Sequence, residues 1–195
     1  MSRHIWAVFL VIICINPMAS GAEIIDHASK GDAFRGIPNV KIEYYNVSGF
    51  DEKSINSSLQ DSAPRRPDGN LALGMTTYNF RFSGSQSKRG SNCTITQGKL
   101  ELFPTVHLPK LENENLVPER ILARWKPFME GLQTHEAGHI RIEIEHLPEI
   151  RAAIIGSKCA MYEINLKAAV RKIEIFQKTY DKETDDGATQ GASLR

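Results

Sequence analysis

The feature that most constrains the fold of this chain is the order of its segments, with predicted strands first and predicted helices after them. Segments rich in β-formers lie before about residue 115, among them residues 40–47 and 75–82, and helical patterns follow. Strands in one stretch and helices in the next are typical of the α+β class. We therefore predict one α+β domain over residues 23–195, with a β-rich N-terminal half packed on C-terminal helices.

Within the β-rich half, residues 93–96 and 99–103 are further predicted strands, with a bend between them at residues 97–98. The polar residues 84–92 are interpreted as a hairpin loop. We also expect a short helix at residues 55–59.

In the second half, a helix is predicted to begin near Pro118, and Pro127 is expected to end or kink it. A second helix over residues 128–155 is expected to kink at Pro148 and stop at Gly156. A third begins near Cys159, and its apolar residues at spacings of three and four indicate a face for core packing: Tyr162, Leu166, Ala169, Ile173, Phe176 and Tyr180.

The first 22 residues have the order of a secretory signal peptide. Arg3 precedes an apolar run over residues 5–15, and small residues follow at 19–22. The run is shorter than the roughly 20 residues that span a bilayer. We predict cleavage after Ala22, secretion or a periplasmic location, and no stable membrane insertion afterwards. An uncleaved membrane anchor is the alternative.

Charge and cysteine content narrow the possible partners and compartments. Lys and Arg number 24 against 23 Asp and Glu, a balance that argues against a nucleic-acid partner. Of three cysteines, Cys93 and Cys159 remain after signal cleavage, and in an exported chain they most simply form one disulfide. Such a bond would stabilise the fold by about 4 kcal/mol. Two buried free thiols are the alternative.

The motif H-E-x-x-H occurs at His135, Glu136 and His139, inside the second predicted helix. Residues four apart share a helix face, so both imidazoles can bind one zinc ion. Glu136 points about 100° away from His135 and is predicted to be the general base toward a metal-bound water. Gly138, a poor helix former, leaves space between the histidines for another strand or a substrate.

A catalytic zinc needs a third protein ligand and an open position. His146 lies about 10.5 Å along the helix from His139, which is too far. The metzincin pattern is also broken, because Ile142 and Glu145 stand at its glycine and third-histidine positions. The third ligand is therefore expected from another segment, and several candidates stay open: Asp181, Asp185, Asp186, His107, Glu163 and Glu174.

Several further features surround this motif. Trp125, Phe128 and Leu132 precede it, the cysteines lie at 93 and 159, and residues 180–192 read YDKETDDGATQGA. Over residues 44–192 the pattern resembles a bacterial family of unknown function described as predicted secreted zinc-dependent proteases. The resemblance implies an exported, zinc-dependent, protease-like protein. Members of that family often carry a histidine where this chain has Asp186. If that histidine serves the metal, the resemblance implies that its role either passes to Asp186 as third metal ligand or is lost in this chain.

Together these features predict an exported zinc metallopeptidase that hydrolyses peptide bonds of a peptide or protein substrate. One alternative is a non-catalytic zinc-binding protein whose metal stabilises the helices. The other is a surface-interaction protein that recognises its partner through the β-rich half. An open fourth coordination position would favour the enzyme, and an exposed apolar patch on the sheet would favour the interaction protein.

Overall fold

The computed structural model describes residues 33–66 and 68–194, so the predicted signal peptide lies outside the described residues. Its helices and strands are β1 (Lys41–Val47), α1 (Glu52–Ser62), β2 (Met75–Arg89), β3 (Asn92–Leu111), α2 (Glu119–Ile154) and α3 (Tyr162–Thr184). Three short 3-10 turns lie at Glu114–Leu116, Cys159–Met161 and Ala188–Gln190. Strands precede the two long helices, which confirms the α+β prediction.

The three strands form one sheet with β3 in the centre. β1 runs parallel to β3, and β2 runs antiparallel to it. Along β3 the even-numbered residues from Leu100 to Leu108 are buried, the period of two expected of a strand with one covered face. Helix α2 packs against β3. The core therefore lies between the sheet and α2, and α3 packs against α2.

The predicted hairpin at residues 84–92 is present, but its loop is shorter than predicted and consists of residues 90–91. β2 and β3 stay paired as far as Arg89 and Asn92, with a register shift between Ser85 and Gln86. We call this outer part of the β2–β3 pair, residues 84–97, the ribbon. The side chains of β2 in the ribbon are exposed on both faces, so apolar and polar residues do not alternate there and the sequence resembles that of a loop. Contacts with the turn after α2 hold it: Ile95 exchanges backbone hydrogen bonds with that turn, and the Arg151 guanidinium donates to the Gly98 carbonyl.

Helix α2 is 36 residues long and continues through both prolines. Pro127, which was expected to end or kink the helix, interrupts one backbone hydrogen bond of the helix ladder. Trp125 and Phe128 flank it, and both are buried in the core with ring centroids 5.3 Å apart. Burial of two large aromatic side chains outweighs the proline penalty of about 3 kcal/mol. The predicted stop at Gly156 is close to the observed end at Ile154.

A disulfide joins Cys93 to Cys159, with Cα atoms 5.4 Å apart, and confirms the predicted pairing. It ties the 3-10 turn before α3 to the first residues of β3. Along α3, Leu166, Ala169 and Ile173 are buried as predicted, whereas Phe176 is about half exposed. Within residues 33–66 and 68–194, no helix combines the length and apolar character needed to cross a membrane.

Candidate metal centre

Two imidazoles and one carboxylate converge where α2 meets α3. His135 and His139 lie one helical turn apart on α2, and their Nε2 atoms are 3.1 Å from each other. Asp181 of α3 brings Oδ1 to 2.9 Å from Nε2 of His139 and to 3.4 Å from Nε2 of His135. In the part of the chain that the structure describes, these three residues form a group able to hold a metal ion.

The spacing of the three atoms fits a small divalent cation. Ligands about 2.0–2.1 Å from a tetrahedral ion lie about 3.4 Å from each other, and the observed separations are 2.9–3.4 Å. Oδ1 of Asp181 is also buried without a hydrogen bond. Since a buried carboxylate oxygen without a partner is costly, a cation between the three atoms is the arrangement that best satisfies it.

Hydrogen bonds on the far side of each ring direct Nε2 toward the centre. Nδ1 of His139 lies 2.6 Å from Oε1 of Gln177, and Nδ1 of His135 lies 3.0 Å from Oε1 of Gln190. A carbonyl oxygen accepts only, so the network assigns the proton to Nδ1 in each ring. Each Nε2 then presents its lone pair to the centre, as a metal ligand must.

The charges at this centre favour a positive ion. Burial lowers the pKa of His139, but the contacts with Asp181, Glu136 and Gln177 together outweigh burial, so the pKa lies above its usual value. Burial likewise raises the pKa of Asp181, and the contacts with His135 and His139 outweigh that effect and hold it well below its usual range. The three groups therefore stabilise a positive charge between them, either a proton or a metal ion.

Tyr180 occupies the space that Gly138 leaves free. Its ring stacks on His135 at a centroid distance of 5.2 Å and meets His139 edge-on at 5.1 Å. A Cβ added to Gly138 would lie 1.9 Å from the Tyr180 hydroxyl oxygen. The close approach expected at Gly138 is thus made by α3 and not by a strand, and Tyr180, predicted to be a core residue, packs on both histidines.

The segment after α3 lies across His135. Oγ1 of Thr184 is 3.3 Å from Nδ1 of His135, and a Cβ added to Gly187 would lie 2.9 Å from Cγ of that ring. Gly187 also has a φ of +86°, a conformation that glycine adopts without strain. At Gly131, an added Cβ would lie 2.4 Å from the backbone of Gly191. The glycines of the closing motif therefore allow this segment to pack directly on the metal centre.

A family model described as "Bacterial protein of unknown function (DUF922)" matches residues 42–188. The chain belongs to the DUF922 family. This confirms the expected membership in a bacterial family of unknown function. Neither a curated protein nor a solved structure gives a significant match. The matched range contains all three residues of the metal centre.

Glu136 of this DUF922 chain is buried beside the centre but is not part of the group of three. The Thr76 hydroxyl of β2 donates to its Oε2 at 2.7 Å. A Cβ added to Gly74 would lie 2.5 Å from its Oε1, so that glycine provides the room for the carboxylate. The structure thus places Glu136 as helix geometry predicted, off the face of the two histidines and against the start of β2.

Glu143 lies about one turn beyond His139, which makes it a strained third ligand, and its burial was not predicted: the residue is only 3% exposed. Its Oε1 accepts a hydrogen bond from Nε2 of Gln177, while its Oε2 is buried without a partner. Burial raises the pKa of Glu143 to about 7. One signal was available: Glu143 follows His139 by four residues and so lies on the same face of α2.

Asp186, the third ligand that the family resemblance implied, lies elsewhere. Its side chain is 65% exposed, and its Oδ1 is 3.2 Å from Nη2 of Arg66. The structure instead places Asp181, one of the open candidates, beside the histidines. His107 faces Glu43 on the sheet at 3.4 Å. The remaining candidates lie outside the group of three: Asp185, Glu163 and Glu174.

Proposed function

We propose that this DUF922 protein is an exported zinc-dependent peptidase. The observation that carries the proposal is the convergence of two Nε2 lone pairs and the unpartnered Oδ1 of Asp181, with the carboxylate of Glu136 held separately beside them. Three acceptor atoms that face each other repel unless a cation lies between them. A second carboxylate outside the ligand set, here Glu136, provides the base that hydrolysis requires.

Zinc suits the donor set best among common divalent ions. Two imidazole nitrogens and one carboxylate oxygen match its preference for nitrogen and oxygen ligands in a tetrahedral site, whereas magnesium and calcium prefer oxygen ligands alone. Three protein ligands leave one coordination position for water or substrate. When bound there, zinc would supply Lewis acidity toward a carbonyl or a water molecule.

Glu136 is placed to accept a proton. Thr76 donates to one oxygen of its carboxylate and so holds the group in one orientation. The space at Gly74 lets the other oxygen remain close to the strand without a steric clash. A carboxylate fixed in this way beside a metal centre can take a proton from water and pass it to a leaving amine.

Helix α2 carries this centre beside an edge of the described sheet. β2 is paired on one side with β3, and its residue Thr76 contacts Glu136. An extended peptide can add to a sheet edge through main-chain hydrogen bonds. A peptide bound along β2 would therefore pass close to Glu136, which supports peptide bonds as the substrate.

Two features support export. Residues 1–22 have the order of a signal peptide, and disulfides such as Cys93–Cys159 persist mainly in oxidising compartments. Intact-mass measurement of the exported protein tests this part of the proposal. A mature chain that begins at Glu23 would support it, and retention of the apolar run would indicate an anchor.

The catalytic part is tested with Glu136→Gln, which keeps the size of the side chain and removes the base. Elemental analysis should find zinc in this variant at the wild-type level, while cleavage of a denatured protein should fall by about 10²–10⁴-fold. The matched control is Glu145→Gln, an exposed residue of the same helix. Undiminished cleavage by Glu136→Gln would exclude Glu136 as the base.

The burial of His135, which is 3% exposed, favours a second candidate function, a non-catalytic zinc site that stabilises the fold. The two candidates differ in the fourth coordination position. In protein loaded with cobalt in place of zinc, a change in the cobalt spectrum when a small hydroxamate or thiol binds would show an open position. A cobalt spectrum that such ligands do not change would favour the structural site.

A further inference from the structure

A chain of hydrogen bonds leads from His139 away from the metal centre. Nδ1 of His139 donates to Oε1 of Gln177 at 2.6 Å. The amide nitrogen of Gln177 donates in turn to Oε1 of Glu143 at 3.1 Å. Glu143 is therefore hydrogen-bonded to the imidazole through Gln177, and its charge also interacts with that of His139 directly.

The two ends of a glutamine amide are nearly equal in shape, so its partners decide which end faces His139. Nε2 of Gln177 donates to two acceptors, the backbone carbonyl of His139 and the carboxylate of Glu143. Both would repel the amide oxygen. This pair of acceptors turns Oε1 toward Nδ1 of His139, where it favours a proton on that nitrogen.

The burial of Glu143 is not explained by packing alone. It is 3% exposed, and one of its carboxylate oxygens is buried without a hydrogen bond. Such a group costs free energy that an aliphatic side chain of similar size would not. His135 has no comparable carboxylate behind its partner, because the amide nitrogen of Gln190 donates to the Tyr180 hydroxyl.

We propose that Glu143 is a positioning residue that, through Gln177, keeps the proton on Nδ1 of His139 and the Nε2 lone pair directed at the metal. The inference rests on the proposed zinc site for its purpose, but the proton position is a property of the protein itself. A carboxylate behind the imidazole also increases the electron density that Nε2 offers to a cation.

The test uses the variant Glu143→Leu in the full chain. Nitrogen-15 NMR of the histidine side chains, in protein stripped with a chelator and kept at an alkaline pH where the His139 ring is neutral, reports whether Nδ1 of His139 carries its proton. It should do so in the wild type. In Glu143→Leu only the His139 carbonyl still holds the Gln177 amide nitrogen, so the amide turns more readily and part of the protein should carry the proton on Nε2, beside Asp181. Zinc affinity, measured by competition with a chromophoric chelator, should fall about 10–100-fold.

Two further variants make the result specific. Glu145→Leu changes an exposed residue of the same helix and should leave the proton position and zinc affinity as in the wild type. The exchange Glu143→Gln with Gln177→Glu returns an acceptor to Nδ1 and should restore both. Nδ1 that stays protonated in a folded Glu143→Leu protein would overturn the inference. A wild type that binds no zinc would instead refute the proposed function, and the NMR result would still decide the inference.

Discussion

Replacing Gly138 by alanine tests the geometry of the centre most directly. In an ordinary helix this change stabilises by about 1 kcal/mol, because glycine has the greater conformational freedom when unfolded. Here the added Cβ would lie 1.9 Å from the Tyr180 hydroxyl oxygen and 2.3 Å from Cζ. Contact at van der Waals distance requires the ring to retreat by more than about 1 Å.

The Tyr180 ring cannot retreat without cost. It is stacked on His135 and meets His139 edge-on, so any displacement disturbs both imidazoles. Overpacking of this kind costs about 1–3 kcal/mol, which exceeds the gain in helix propensity. The difference is a net loss of up to about 2 kcal/mol. For a chain of this size, a loss of about 2 kcal/mol corresponds to a decrease in Tm of roughly 4–8 °C.

Thermal unfolding of metal-free Gly138→Ala, followed by far-UV circular dichroism, measures this loss. The control is the same change in a Tyr180→Ala background, where no ring opposes the new methyl group. There Gly138→Ala should be neutral or stabilising, so the two changes should not be additive. If Gly138→Ala raises the Tm of the otherwise wild-type protein, the contact between Tyr180 and α2 is not as described.

Three further predictions concern other parts of the fold. Burial raises the pKa of Glu143 from 4.5 to about 7, so the stability that this group provides below pH 4.5 is lost as the pH rises through 7. Over that range the free energy of unfolding of the wild type should fall by about 3 kcal/mol relative to that of Glu143→Gln. Urea unfolding of both proteins at pH 4.5 and above pH 7 measures the difference. Zinc affinity, measured by chelator competition, should fall at least about tenfold in Asp181→Asn and stay unchanged in Asp186→Asn. Replacing Cys93 and Cys159 by serine should cost about 2–5 kcal/mol in urea unfolding, and equal stability would contradict the bond.

Helices and strands whose side chains alternate regularly between buried and exposed could be predicted from the sequence. The period of two in β3 and the spacing of four between His135 and His139 are properties of neighbouring residues, so the sheet and the shared histidine face could be predicted. The polar ribbon of β2 and β3 was missed because its ladder is satisfied by backbone groups, which have no compositional signal.

The third ligand could not be chosen from sequence for a different reason. Asp181, Asp185 and Asp186 stand within one turn and a half of each other, and only the crossing of α3 over α2 decides which carboxylate reaches the histidines. The contact between Glu143 and Gln177 was not predicted because polar residues on a helix are usually solvated, and burial between two helices is a tertiary property.

The long sequence separation between His135 and its partner Gln190 affects when the site can form during synthesis of the chain. A chain emerges from the ribosome from its N-terminus, so both histidines appear while α3 and the segment after it are still unmade. Gln190, the partner of Nδ1 of His135, follows that histidine by 55 positions. During this interval the nascent chain offers two unsupported imidazoles, which hold a cation weakly. A metal ion bound at the proposed site would therefore be acquired after α3 has emerged and docked, in whichever compartment the chain completes its folding.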